Sequence, residues 1–178
     1  MTTTGVTASI PASLALVEAM AGSAKAKATA GMLGVDNWTS DHMSASFRLT
    51  AGQVALVVRN YLSFWKHETL PIPVADGFDE IALALSADAW SRTYRSQAIA
   101  VSISDRVRSR HGLIVVPDQK IKAGGIESRP FTRSLSSVSS IDRALETIAE
   151  RYGSETAALV SLQLEYMPND WFQERHKR

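Results

Sequence analysis

The chain has 178 residues, 45% of them hydrophobic and 21% charged, with a formal net charge of +1 and no cysteine. That is enough chain to bury the core of one domain, or one domain plus an appendage. So small a net charge excludes a global field for nucleic acid or membrane, and the missing cysteine excludes disulfides, thiolate metal sites and a cysteine nucleophile.

In chain order, residues 2–8 are threonine-rich and fit a short strand. Ile10 and Pro11 open a helix, with Pro11 in the first turn where its missing N–H costs little. Leu14, Leu16, Val17, Met20 and Ala21 are its apolar positions, and Gly22 ends it. An alanine-rich helix from Ser23 to about Leu33 follows, closed by Gly34. The polar stretch VDNWTSDHMSASFRL reads as a loop. Its Trp38, Ser40, Asp41 and His42 are the nearest approach to a functional constellation. Trp38, Asp41 and His42 are the candidate ligand-binding residues, set against the alternative of a solvated, locally capping loop. From Ala51 to Trp65 the stripe Val54, Val57, Val58, Tyr61, Leu62 and Trp65 predicts a strongly amphipathic helix that packs on something large.

Residues 70–118 then read as strand, helix, strand, strand. Leu70 to Val74 is apolar but carries Pro71 and Pro73, which confines it to a sheet edge or to pairing on one side. Asp76 is placed to cap the next helix, Asp79 and Glu80 fall in its positive first turn, and Phe78, Ile81, Ala82, Leu85 and Ala89 form its apolar stripe. Gln97 to Ile103 and Leu113 to Val116 have the composition and length of strands. Residues 119–140, with Gly124, Gly125 and a run of serines, read as a linker. Two helices complete the chain: one near Asp142 to Tyr152 with stripe Ile141, Ala144, Leu145, Ile148 and Tyr152, the other from Glu155 to Tyr166. The expected fold is α/β, a small, mostly parallel sheet flanked by helices, with extra helices at the amino-terminal end. Residues 1–69 form a mostly helical segment, and residues 70–178 the α/β segment.

Other chemistry finds little support. His67, His111 and His176 have no metal-ligand spacing, and there is neither a G-x-S-x-G elbow nor a phosphate-binding glycine loop. No cofactor or metal is expected. Nine basic residues against three acidic ones between Arg92 and Arg133 lack the aromatic interleaving or helix-turn-helix pattern of a nucleic-acid site. No apolar run approaches a membrane span and the first residues lack a secretory signal pattern, so a cytoplasmic protein without a membrane partner is expected.

The two ends of the chain resemble one another. SIPASLALVEAMAGS and SIDRALETIAERYGS share an opening serine and isoleucine, a leucine, a β-branched residue and a closing glycine and serine, and each precedes a second helix.

On these residues the chain resembles the ThiJ/PfpI family, of the class I glutamine amidotransferase-like fold. VADGFDEIALAL is similar to the family's first strand-to-helix turn, RSRHGLIVVPD to its R-x-x-x-G-L-x-V-x-P-D stretch, and SSIDRALETIAERYGSETAALVSLQLEY to its carboxyl-terminal helices. TTTGVTASIPASLALVEAMAG resembles that carboxyl-terminal unit a second time. The resemblance implies a flavodoxin-like three-layer fold. It also implies a cysteine nucleophile between Asp118 and Ser139, where this chain has its linker, and a partner carboxylate at a position held by Ala82. A non-catalytic module for partner or small-ligand binding is therefore expected. The alternative is part of a hydrolase or hydratase whose nucleophile lies on a missing or separately encoded segment. A sheet without its middle strands and an amphipathic helix without a cover both imply a homo-oligomer or an upstream-encoded partner chain.

Overall fold

The computed structural model describes residues 9–35, 38, 49–122 and 137–166. The threonine-rich residues 2–8 lie outside them, as do 123–136 of the expected linker.

The described chain opens with a packed helix pair, α1 (Ser9–Ala21) and α2 (Ser23–Leu33), joined at Gly22. Helix α3 (Ala51–Leu62) starts at a capping box. The Gln53 amide donates to Thr50 Oγ1 at 3.3 Å, and Gln53 Oε1 accepts from the Thr50 amide at 2.8 Å. The expected helix through Trp65 stops at Leu62, and Phe64–Lys66 continue as one 3₁₀ turn.

Strand β1 (Glu68–Pro73), helix α4 (Glu80–Ser91) and strand β2 (Ser96–Ser102) form a β-α-β unit with β1 and β2 parallel, Glu68 opposite Ser96 and Pro73 opposite Val101. Among the described residues β1 is an edge strand, the place where Pro71 and Pro73 leave no ladder bond unmade. The cap of α4 differs from expectation. Asp79 accepts from the amides of Ile81 and Ala82 at 3.0 and 2.9 Å, whereas Asp76 accepts from the Arg108 amide at 2.8 Å. The helix starts three residues later than Asp76 could cap.

The run Leu113 to Val116 also corrects the reading. It does not join the parallel sheet: β3 (Val107–Arg108) and β4 (Ile114–Val115) form an antiparallel hairpin. So short a connection permits only antiparallel pairing, because a parallel crossover needs a dozen or more residues. The third parallel strand is β5 (Gln119–Lys120), at the start of the expected linker, and residues 103–118 together are its crossover. Asp118 Oδ2 extends that pairing by accepting from the Ala100 amide at 2.7 Å.

Helix α5 (Ser139–Tyr152) and helix α6 (Ser154–Leu164) close the described chain. Helix α4 packs on the sheet, α5 on α4, and α6 on α5. Leu85 and Ala89 of α4 meet Ile141, Ala144, Leu145, Ile148, Ala157, Val160 and Leu164 in the main core. Val74, Phe78 and Val107 make a second cluster that fastens the hairpin to the carboxyl end of the sheet. The result is a mixed α/β fold with a small parallel sheet and flanking helices.

The sequence repeat has a structural counterpart. Leu14, Ala26 and Ala30 of α1 and α2 are buried at the positions that Leu145, Ala157 and Ser161 occupy in α5 and α6. Ile148 and Val160 of the second pair are fully buried beside α4, while their counterparts Val17 and Thr29 are only half-buried. A backbone bond from the Val138 amide to the Leu33 carbonyl at 3.1 Å links the two helix pairs.

Candidate functional site

Ligands of open parallel sheets sit beyond the carboxyl ends of the strands, so that end is the first place to look for chemistry. Here it is built by the start of α4 and the turn after β3. Asp79 is buried, and beyond its two cap bonds its Oδ2 accepts from Ser137 Oγ at 2.9 Å and lies 3.4 Å from Arg110 Nη1. Glu80 beside it has Oε1 2.8 Å from His111 Nδ1, while its Oε2 is buried without a hydrogen bond among the described residues. Burial raises the Glu80 pKa, but its own backbone amide, His111 and Ser109 together outweigh that and hold it below the usual carboxylate value. The pair orients an imidazole, as a general base requires. What it lacks is a thiol to activate.

Ala82, where the resemblance implies a carboxylate, is buried in the first turns of α4, 5% exposed. Its place in the packed helix explains an apolar residue there. The carboxylate and histidine that the fold brings together are Glu80 and His111, 31 residues apart. In the sequence Glu80 reads only as an acid in a helix first turn and His111 as one of three scattered histidines.

Of the loop candidates, Trp38 is half-buried, and its indole Nε1 donates to Glu18 Oε2 of α1 at 3.2 Å. Ser40, Asp41 and His42 lie outside the described residues. Among the described residues no group of three His, Asp or Glu side chains is disposed to hold a metal ion.

At the amino end of the sheet, Glu68 accepts from Arg151 Nε at 2.8 Å and also from Arg151 Nη2 and Tyr152 Oη. Those bonds hold its pKa at about 2. The Arg95 guanidinium lies 4.5 Å over the Tyr152 ring. Beside this clip is a groove of about 320 Å³ lined by Tyr61, His67, Thr69, Tyr94 and Gln97.

The most distinctive surface is α3. Its inward residues are Leu56 and Asn60, and Asn60 Nδ2 donates to the Thr93 carbonyl at 3.1 Å, tying the helix to the turn after α4. Apart from Val57, which is half-buried, the predicted apolar stripe points the other way. Val54, Val58, Tyr61 and Leu62, with Phe64 and Trp65 in the following turn, are 48–73% exposed. Phe64 and Trp65 meet edge to face at 5.1 Å between ring centroids. The described chain thus leaves uncovered the face that the sequence marked as needing a cover. No described helix is long and apolar enough to cross a membrane.

Compared with family models, with curated proteins and with solved structures, the chain has no match in any of the three.

Proposed function

We propose that this chain is a non-catalytic α/β module of ThiJ/PfpI type, cytoplasmic, which works by binding a partner as a homo-oligomer or with an upstream-encoded chain. In this reading its sheet belongs to a flavodoxin-like three-layer arrangement, and the groove beside Tyr61 is where a small ligand would sit. The observation that carries the reading is the outward apolar face of α3. Exposed patches of that extent mark interaction surfaces. The absence of cysteine and the buried Ala82 support the non-catalytic half of the reading.

The test is an assay of the pure chain for amidase, glyoxalase and isonitrile hydratase turnover. No rate above a heat-killed control is expected. Turnover abolished by Glu80→Gln or His111→Ala overturns the reading.

One observation favours a second reading. The Glu80 and His111 pair stands at the carboxyl end of the sheet, where part of a hydrolase or hydratase would keep its acid–base group while the nucleophile came from another segment. Translating the DNA upstream of Met1 decides between the two, since the second reading requires an α/β segment with a cysteine at a strand-to-helix turn.

A further inference from the structure

At 100° per residue, Ala51, Val54, Ala55, Val58, Tyr61 and Leu62 fall within an arc of about 120° centred near Val58, opposite the inward pair Leu56 and Asn60. All six are exposed. The face is graded by size: alanine and valine occupy its amino-terminal half, tyrosine and leucine its carboxyl-terminal half, with Trp65 just beyond. A face graded in this way complements itself when turned end for end. Antiparallel pairing about Val58 keeps each flank of the helix against the same flank of its partner, which sets Val54 against Tyr61 and Leu62 and Ala55 against Leu62, small against large.

We propose that α3 docks antiparallel on α3 of a second copy of this chain, about a two-fold axis at Val58; this rests on the reading of the chain as a partner-binding module. Charge agrees with a self-complementary face. Helix α3 carries no acidic residue, and its single cation, Arg59, lies 3.8 Å from Glu155 of its own chain. Area agrees as well. With large side chains of about 150–250 Å² for aromatics, Val54, Val58, Tyr61, Leu62, Phe64 and Trp65 together expose on the order of 700 Å², close to the roughly 800 Å² each partner gives to a standard interface. Knobs at i, i+4, i+7 and i+8 suit the shallow crossing of antiparallel helix pairs.

The natural absence of cysteine makes the test clean. Light scattering behind a sizing column is expected to give twice the 19.4 kDa chain mass. Val58→Cys, at the axis, should form a linked dimer under mild oxidation. Val54→Cys alone should not, but mixed with Leu62→Cys it should. Ala55→Trp adds apolar surface yet fills the space for Leu62, so it should weaken dimerisation by more than about tenfold. Leu62→Glu should do the same, with both variants keeping the wild-type circular dichroism spectrum and melting cooperatively. A monomer throughout a dilution series overturns the inference. So does a dimer that survives both substitutions while Val58→Cys stays unlinked. Neither outcome revives catalysis, which is judged separately by turnover.

Discussion

Gly22 and Gly153 hold the same backbone conformation, φ 83° and ψ 163° in one, φ 91° and ψ 155° in the other, each at the joint of a helix pair. That region of backbone space belongs essentially to glycine. Among the described residues a Cβ added at either position meets nothing within 4 Å, so the constraint comes from the backbone and not from crowding. Gly153→Ala is accordingly expected to destabilise the chain by about 1–3 kcal/mol, read as a lower midpoint in urea with unchanged m-value. Because the α1–α2 pair buries less than the α5–α6 pair, Gly22→Ala should open α1 and α2 locally, seen by hydrogen exchange, with a smaller effect on the main transition.

The cap of α4 gives a second prediction. Asp79 holds two helix amides, Ser137 and Arg110 at one buried carboxylate, whereas exposed Asp76 holds one amide of the hairpin. Asp79→Ala should cost about 2 kcal/mol, a lost cap plus unpaired neighbours, and Asp76→Ala clearly less. Equal losses in chemical denaturation would return the cap to Asp76.

The helices were legible because their signals are local. Glycines at 22, 34 and 153 and the stripe of α5 fixed elements to within a few residues, and β1 was recognisable as an edge strand from its prolines. Strand partners were less legible. Whether Ile114 and Val115 pair parallel or antiparallel depends on connection length, and β5 had no hydrophobic signal, since its Gln119 and Lys120 are exposed. The contact of Glu80 with His111 joins a helix to a distant turn, and no spacing rule announces it. The α3 stripe was the reverse case: its pattern was plain, and only the fold could show that it faces outward. Asp41 and His42 lie outside the described residues.

Ala82 tests the resemblance from the structural side. A carboxylate installed there would enter the buried side of α4, close to the Asp79 carboxylate that already accepts from the Ala82 amide. Ala82→Glu is therefore expected to destabilise by about 3 kcal/mol or more, through overpacking and a desolvated charge, and to create no turnover. Thermal melting of Ala82→Glu beside Ala82→Ser separates the causes, because serine is small and uncharged. A stable, unchanged glutamate variant would show that α4 has room for the family's acid.

The clip at the amino end of the sheet makes stability depend on acid. Glu68 is held at about 2 by Arg151 and Tyr152, below its ordinary value of 4.5. A carboxyl group whose folded pKa is depressed contributes stability that is fully present above the unfolded value and is lost as pH falls through the folded one. The loss attached to Glu68 therefore runs from about pH 4.5 down to about 2, and near neutrality the pH profile from this group is flat. The clip joins β1 to the last turn of α5, 83 residues away, so it resists separation of sheet and helices rather than fraying of either. Melting temperatures across that window should fall more steeply for the wild type than for Glu68→Gln, which keeps the shape but not the charge. Tyr152→Phe, which removes one of the three donors, should fall between them. Parallel curves for wild type and Glu68→Gln would assign the acid sensitivity to other carboxylates and leave the clip without energetic weight.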